Sequence, residues 1–370
     1  MLTLVLSFLM SFSLVFALSP GVIRLAQDKN LVANPTARGS HKVSTPCIGG
    51  VPIFIGVLFV TLLLTPHGEW QQLQFILSAL ILVFVVGLKD DLEGLSPLHK
   101  VLGLTAAIAI LVSRGEVQLH SLYGLFGSEV VFPEWLAMII SGFTLLVICN
   151  AFNLIDGING LTGTIGTIVC FSYGIYFFMV DELYLGVLSM TTAGSLIAFL
   201  RYNITPAKTF MGDVGALVVG LIIGVMTIKF IDIASGFDAT SDYFFYSPIA
   251  VAVSLLIVPL FDTIRVFTTR ILRGVSPFQP DRRHIHHLLI DSGLDHMQAT
   301  AVLGLVNMAY ISVAFALDPY LELHALIALQ VGVALLATFF LHRNVRRIHA
   351  AKLRASASEP EPVDSVVEKA

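Results

Sequence analysis

The segment MGDVGALVVGLIIGVMTIKFI, residues 211–231, indicates the fold class of this 370-residue chain. From Val214 to Ile231 it runs for 18 residues, among which Lys229 carries the only charge. A bilayer core of about 30 Å needs roughly 20 mainly apolar helical residues, so this run predicts a membrane-spanning helix. Asp213 stands directly before the run, which places a carboxylate at the predicted membrane surface.

The whole chain has the composition of a membrane protein. Apolar side chains make up 56% of it, charged side chains only 12%, and the mean hydropathy is +0.86. Soluble proteins carry about 45–50% apolar and about 25% charged residues. The 26 Phe exclude a disordered chain, and a net charge of −4 gives no reason to expect nucleic-acid binding. The three cysteines form no disulfide or zinc motif and are interpreted as small apolar residues.

Eleven segments are apolar and long enough to cross a membrane, which predicts an all-α, polytopic integral membrane protein with about 11 transmembrane helices. No positive charge precedes the first segment, so we expect a retained helix there and not a cleaved signal peptide. The fourth segment is short and needs Leu98 or local bilayer thinning to reach both faces. The predicted spans are residues 1–22, 48–64, 71–88, 101–113, 134–150, 161–180, 183–200, 214–231, 245–267, 299–317 and 321–341.

The distribution of basic residues predicts the orientation. With the N-terminus outside and the C-terminus cytoplasmic, 19 of the 21 Lys and Arg face the cytoplasm, and only Arg114 and Lys229 do not. Residues 1–349 are predicted to form a single membrane-embedded domain with cytoplasmic active-site loops. Residues 350–370 are predicted to form a disordered cytoplasmic tail, which follows the basic stretch His342–Arg347, a juxtamembrane anchor suited to anionic lipid.

Four polar loops on the predicted cytoplasmic side contain the candidate chemistry. Mg²⁺ prefers one or two carboxylates, and phosphates prefer cations and helix N-termini, and these loops offer both kinds of group. Asp90, Asp91, Asp156 and Asp213 are suitable ligands for Mg²⁺. The pattern indicates a metal-assisted phosphoryl or phosphoglycosyl transfer at the membrane surface. The loops are residues 89–93, 150–160, 208–215 and 281–287.

Each loop also has a structural interpretation when it is taken alone. Asp213 is as well suited to cap a helix as to bind a metal, and Asn153–Gly157 is typical of a turn. Four such loops on one face favour a functional site. The alternative is a secondary transporter or lipid flippase without chemistry, which predicts ionisable groups and broken spans at the bilayer midplane. The sequence shows neither of these features clearly.

The motifs in these loops resemble those of the polyprenyl-phosphate N-acetylhexosamine-1-phosphate transferases, the glycosyltransferase 4 superfamily that includes MraY, WecA and TagO. The resemblance runs from residue 35 to about residue 293. The His-x-His-His loop at residues 284–287 is similar to that of the WecA-type branch. The matching motifs are PTAR (35–38), PCIGG (46–50), GLKDD (87–91), residues 150–160, FMGDVG (210–215) and SPFQPDRRHIHH (276–287).

The resemblance implies an enzyme that moves N-acetylhexosamine 1-phosphate, with N-acetylglucosamine as the leading sugar, from a UDP-sugar to undecaprenyl phosphate, and that releases UMP. It implies Mg²⁺, with Mn²⁺ as an alternative. It also implies a site on the cytoplasmic face of a bacterial inner membrane and a product that initiates O-antigen or related cell-envelope polysaccharide synthesis. The resemblance is also compatible with a homodimer.

The same resemblance assigns roles residue by residue. Asp213 and Asp91 are the metal candidates, and Asp262 matches a family aspartate to which no role is assigned. Asn159 stands where many relatives have Asp, so a role that needs a carboxylate there is in doubt. The catalytic candidates are Asp90, Asp91, Asp156 and His284, and the substrate-binding candidates are Lys100, Asn150, Asn153, Arg282, His286 and His287.

The expected mechanism is direct attack by the lipid phosphate on the β-phosphorus of the UDP-sugar. A phosphate monoester has a second pKa of about 6, so most of the acceptor is already a dianion at pH 7 and a general base contributes little. The main difficulty is to bring two anions together, for which Lys100 and Arg282 supply positive charge. A covalent aspartyl-phosphate route is the alternative.

Overall fold

The computed structural model describes residues 1–29, 31–33, 45–127, 130–276 and 283–358, and α-helices make up most of them. A short antiparallel pair of strands, β1 (Val32–Ala33) and β2 (Thr45–Pro46), lies between the first two helices. The all-α fold class predicted from the sequence is confirmed. The helices are α1 (Leu2–Asp28), α2 (Gly50–Leu64), α3 (Trp70–Glu93), α4 (Pro97–Arg114), α5 (Glu134–Ile155), α6 (Leu161–Met179), α7 (Leu183–Asn203), α8 (Gly212–Ser235), α9 (Pro248–Leu255), α10 (Ile257–Ile271), α11 (Ile285–Asp291), α12 (His296–Leu317) and α13 (Leu323–Ser358).

Most of these helices are long and apolar enough to cross a membrane. Within the described residues there are nine such helices, and the bent pair α9 and α10 supplies a tenth. α2 has only 15 residues and falls short of the required length. Each of the eleven predicted segments has a helix at its position, and α4 begins at Pro97 and so includes Leu98. The polytopic character is confirmed, whereas the count of eleven and the orientation of the termini stay predictions.

The ninth predicted span, residues 245–267, is broken. α9 and α10 meet at Leu256 with a bend of 82°. Pro259 explains the break, because it has no N–H to donate to the carbonyl of Leu255 and its ring crowds that carbonyl. The Leu255 carbonyl accepts instead from Asn307 Nδ2 at 3.2 Å. The expectation that the sequence holds no clear broken span was therefore wrong.

α8 is the central helix, and its apolar window is completely buried. It packs against α2, α3 and α5. Glycines permit this contact: a Cβ at Gly50 of α2 would lie 2.1 Å from Gly215 N, and a Cβ at Gly87 of α3 would lie 2.7 Å from Val214 Cα. Small residues let membrane helices approach this closely. The acidic end of α3 is thereby fixed beside the acidic beginning of α8.

The last helix extends beyond the predicted membrane domain. α13 ends at Ser358, so residues 350–358, which the sequence analysis assigned to the tail, continue this helix. Ala, Leu, Lys and Arg are frequent there and are strong helix formers, which explains the extension. Residues 359–370 lie outside the described residues, and the domain boundary at residue 349 stays a prediction.

Candidate active site

Four helix ends meet at one place and bring together five of the predicted site residues. Asp90 and Asp91 lie in the last turn of α3, and Lys100 lies in the first turn of α4. Asn153 lies in the last turn of α5, and Asp213 lies in the first turn of α8. We call these five residues the carboxylate cluster.

Lys100 connects the acids of the carboxylate cluster. Its Nζ lies 2.9 Å from Asp90 Oδ2 and 3.4 Å from Asn153 Oδ1, and it forms an ion pair with Asp213 Oδ1. Asp90 is itself fixed by the backbone N–H of Leu95, which donates to Oδ1 at 2.6 Å. Asp213 is the most accessible of the three paired side chains, with 29% exposed against 19% for Lys100 and 10% for Asp90. Asp213 is therefore the acid best placed to meet a ligand.

Asp91 uses both carboxylate oxygens to hold the beginning of α8. The backbone N–H of Asp213 donates to Oδ1 at 2.8 Å, and that of Val214 donates to Oδ2 at 3.0 Å. Gly212, with φ of +73°, turns the chain so that these amides face Asp91, and a Cβ there would lie 2.7 Å from Oδ2. Asp91 thus acts as the cap of a helix from another part of the chain.

Asp213 does not cap α8, although the sequence left that interpretation open. α8 has no side-chain capping hydrogen bond from its own N-cap residue. The Asp213 carboxylate instead accepts from Asn153 Nδ2 at 2.5 Å and pairs with Lys100. Its side chain is therefore directed into the carboxylate cluster, and Asp91 satisfies the amides that a cap would serve.

Asp156 follows the last residue of α5 and lies near the same acids. Burial, together with the nearby negative charges of Asp213 and Asp91, raises the pKa of Asp156 to about 7. The thiol of Cys47 lies close to the same three carboxylates: burial raises its pKa above the usual range, and their charges raise it further. The sequence predicts for Cys47 only a small apolar residue, so this position beside the acids was missed. The signal was its place in the PCIGG motif.

The loop after Asp156 is fixed by hydrogen bonds to α7 and α12 and to the residues after α7. Asn159 Nδ2 donates to Thr205 Oγ1 at 2.9 Å, and Thr300 Oγ1 donates to the Asn159 carbonyl at 2.8 Å. The N–H of Gly160 donates to Asn203 Oδ1 at 2.6 Å. Asn159 therefore has a structural role as a donor, which an ionised carboxylate at this position cannot perform.

Asp262 organises the second group of polar residues, the histidine loop, which we define as residues 283–287. His284 Nδ1 lies 2.9 Å from Asp262 Oδ2, and the N–H of Ile285 donates to Oδ1 at 3.0 Å. Arg265 Nη2 donates to Asp262 Oδ1 at 2.7 Å and to the carbonyl of Arg283 at 2.5 Å. Asp262 is 1% exposed. The role that the sequence left open for Asp262 is to hold the histidine loop against α10.

His286 links the histidine loop to the loop after Asp156. Its ring lies against Gly157, where an added Cβ would approach His286 Nε2 to 2.3 Å. The His286 ring centroid lies 4.2 Å from that of His287. His286 is buried, and both ring nitrogens lack a hydrogen-bond partner among the residues that the structure describes. Burial, with the adjacent His287, lowers the pKa of His286 to about 3, so the ring is neutral.

Two predicted substrate-binding residues are not brought into either group. Asn150 Nδ2 donates to the carbonyl of Leu146 at 2.8 Å, within its own helix. Arg282 lies outside the described residues. No group of three or more His, Cys, Asp or Glu that could hold a metal ion is found in the described part of the chain.

The fold and the site define a polytopic membrane enzyme whose polar residues gather where helices end. The family model for glycosyl transferase family 4 matches residues 73–231, which include the whole carboxylate cluster and Asp156. The chain belongs to this family, which confirms the family predicted from the loop motifs.

Named relatives agree with this assignment. A probable undecaprenyl-phosphate N-acetylglucosaminyl 1-phosphate transferase of Bacillus subtilis is 30% identical over 310 residues, 84% of each chain. A decaprenyl-phosphate N-acetylglucosaminephosphotransferase of Mycobacterium leprae is 31% identical over 300 residues, 76% of this chain and 75% of the relative. The undecaprenyl-phosphate alpha-N-acetylglucosaminyl 1-phosphate transferase of Escherichia coli K12 is 26% identical over 289 residues, 76% of this chain and 75% of the relative. These relatives do not favour the transporter alternative.

Proposed function

We propose that the chain transfers N-acetylglucosamine 1-phosphate from UDP-N-acetylglucosamine to undecaprenyl phosphate, which gives undecaprenyl-diphospho-N-acetylglucosamine and UMP. The names of the Bacillus subtilis and Escherichia coli relatives support this donor group and this acceptor. The main structural support is the position of Lys100, which lies between Asp90 and Asp213 where four helix ends meet. The product would initiate O-antigen or related cell-envelope polysaccharide synthesis.

Two of the acids near Cys47 would be enough to hold a Mg²⁺ ion, with Mn²⁺ as the alternative, together with phosphate oxygens. Asp91, Asp156 and Asp213 lie close enough together for their charges to act on one thiol. One or two carboxylates are enough for Mg²⁺, because phosphate oxygens and water complete its coordination. Asp213 and Asp156 would hold the ion, since both oxygens of Asp91 already accept from α8 amides. When bound, the ion would stabilise the negative charge on the UMP leaving group.

Lys100 would position the phosphate of the acceptor. Its ammonium group lowers the repulsion between the acceptor dianion and the diphosphate of the donor, which is the main obstacle to attack. Asp90 holds Lys100 in place and is not needed as a base, because the acceptor is already ionised at pH 7. In the attack, an acceptor oxygen forms a bond to the β-phosphorus, and the bond from that phosphorus to the UMP oxygen breaks.

The histidine loop would contact the sugar or the diphosphate. His286 is the best-placed donor, because its ring nitrogens are unpartnered in the described structure and its ring lies beside the loop that follows Asp156. His284 would be oriented by Asp262, which fixes one ring nitrogen and leaves the other for a substrate. His287 and Arg282 are further candidates from the same motif.

The reaction is proposed for the cytoplasmic face of a bacterial inner membrane. The support is the segregation of 19 of the 21 Lys and Arg to one side of the predicted topology. The ends of α3 and α5 and the beginnings of α4 and α8 all belong to that side of the predicted topology.

The test is the release of UMP by the purified full-length protein from UDP-N-acetylglucosamine. We expect release only when undecaprenyl phosphate and Mg²⁺ are both present. Lys100→Met should reduce this release about 100-fold or more, because it removes the cation that opposes anion repulsion. Lys29→Met, which removes an exposed cation at the end of α1, is the matched control and should keep full activity.

Two outcomes would contradict parts of this proposal. A folded protein that releases no UMP from any UDP-N-acetylhexosamine would refute the transferase assignment. A phosphorylated enzyme that forms and decays at the rate of turnover in rapid-quench labelling would refute direct attack in favour of the covalent route.

A further inference from the structure

A cavity of about 600 Å³ lies between α10 and the basic end of α13, apart from the carboxylate cluster. Four arginines line it, Arg265 from α10 and Arg343, Arg346 and Arg347 from α13, and no acid lines it in the described structure. The α13 arginines are one, three and four residues apart and therefore lie on neighbouring positions of one helix face. Such a concentration of positive charge around a cavity favours an anionic ligand.

Arg265 lines the inner side of this cavity. Its side chain is only 10% exposed, and its Nη2 is engaged by Asp262 and the carbonyl of Arg283. Its Nε is buried and has no hydrogen-bond partner among the described residues. Arg265 therefore contributes positive charge to the wall of the cavity, whereas its Nε is closed off from the cavity.

The surroundings of the cavity are those of a lipid site. Leu335 and Phe339 line it on the side toward the membrane portion of α13 and are 54% and 61% exposed. At Thr338 the cavity adjoins a second cavity of about 340 Å³. That second cavity lies between α10, α11, α12 and α13, and its lining is almost completely apolar. A charged head and an apolar chain on one ligand would fit the two cavities together.

We propose that the arginine-lined cavity binds the phosphate of an anionic phospholipid, with an acyl chain in the adjoining apolar cavity. Arginine suits this role because its planar guanidinium donates two parallel hydrogen bonds to phosphate oxygens. The lipid phosphate would accept from the exposed α13 arginines, beside the positive charge of Arg265. Because Arg265 also holds Asp262 and Arg283, the bound lipid would steady the histidine loop from its outer side.

Lipid retention by the purified full-length protein, measured by native mass spectrometry, tests this site without reference to the transferase reaction. We expect phosphatidylglycerol to be retained in preference to phosphatidylcholine. The double variant Arg346→Gln/Arg347→Gln should weaken this retention about fivefold for each cation removed. Both side chains are exposed, so the variant should fold normally. The control Arg24→Gln/Arg273→Gln removes two exposed cations outside the cavity and should change nothing.

Competition experiments distinguish the sources of the phosphate. Inorganic phosphate should not displace phosphatidylglycerol, because it has no chain for the apolar cavity. Displacement by inorganic phosphate, equal loss of retention in the control pair, or displacement by undecaprenyl phosphate at lower concentrations than other lipids would each overturn the proposal. A stimulation of UMP release by phosphatidylglycerol that the Arg346/Arg347 variant lacks would support it further.

Discussion

The carboxylate cluster and the histidine loop are built in opposite ways. In the cluster the polar groups satisfy one another: Lys100 pairs with two acids, and both oxygens of Asp91 are held by α8 amides. In the histidine loop both oxygens of Asp262 accept hydrogen bonds, but His286 has two buried ring nitrogens without a partner in the described structure. The ion pairs and hydrogen bonds of the cluster are formed without a substrate. In the histidine loop the ring nitrogens of His286 can still form hydrogen bonds.

This difference separates the expected effects of mutation. A change of Lys100 or Asp213 in the carboxylate cluster removes charge from a preorganised site, so it should reduce turnover more than folding. A change in the histidine loop alters a buried neutral ring, so it should appear in stability and in its dependence on pH.

Asp213→Asn should have the largest effect. It removes the more accessible of the two carboxylates that pair with Lys100 but keeps the size of the side chain and leaves the Asp91 cap on α8 in place. We expect UMP release to fall about 10²–10³-fold, the typical cost of removing one preorganised electrostatic group. The melting temperature should change little. The matched control is Asp238→Asn, whose exposed carboxylate bonds only within its own loop. Equal loss in both variants would contradict the role of Asp213.

Asp91→Ala should cost about 1–2 kcal/mol of stability, because the beginning of α8 loses its cap. The Mg²⁺ concentration for half-maximal UMP release should not change if Asp91 acts as a cap. Asp295→Ala is a matched control, since Asp295 caps α12 through the N–H of Gln298 at 2.8 Å, and it should cost stability without reducing turnover. A tenfold higher Mg²⁺ requirement with unchanged melting temperature would make Asp91 a metal ligand.

The carboxylate cluster is the part of the site that sequence reasoning could predict. Each of its acids stands at the end of an apolar run, and such ends must collect at a membrane surface. The role of Asp91 could not be predicted in this way. Its hydrogen bonds to α8 depend on the close approach of α3 and α8 at Gly87, which is a long-range contact that no local pattern encodes.

The histidine loop was predictable as a motif but not as a structure. Asp262 lies 22 residues before His284, on a helix that the bend near Pro259 turns by 82° relative to α9. The sequence predicts one continuous span at residues 245–267, and a straight helix there does not bring Asp262 beside His284. The fold class was still predicted correctly, because a bent helix and a straight one have the same apolar composition.

Asn159→Asp tests the link between the two regions, because residue 159 lies in the loop that joins them. An ionised Asp cannot donate to Thr205 as the Asn159 amide does, and residue 159 is only 6% exposed. We expect a loss of about 1 kcal/mol in the free energy of unfolding. Thr205→Val, which removes the same hydrogen bond without adding charge, should cost a similar amount at pH 7. If Asn159→Asp is more stable than the unmodified chain at pH 7, the amide donor of Asn159 does not determine the conformation of this loop.

The smallest expected effect is a change in stability with pH, which reports on the protonation of His286. Burial, with the adjacent His287, lowers the pKa of His286 to about 3 in the folded chain, against about 6.5 for an ordinary imidazole. The neutral ring therefore contributes stability above pH 6.5, and this contribution is lost as the pH falls, because the unfolded chain binds a proton that the folded chain does not. The expected loss between pH 7 and pH 6 is about 0.7 kcal/mol.

Thermal unfolding of His286→Gln at pH 7 and pH 6 should show a smaller change than that of the unmodified chain. His349→Gln, at an exposed position on α13, should keep the full change. A diphosphate bound at the ring would favour its protonated form and raise its pKa. The UDP-sugar should therefore stabilise the unmodified chain more at pH 6 than at pH 7, and His286→Gln should lack this excess. Equal stabilisation of both proteins at both pH values would mean that the ring nitrogens of His286 do not meet the donor.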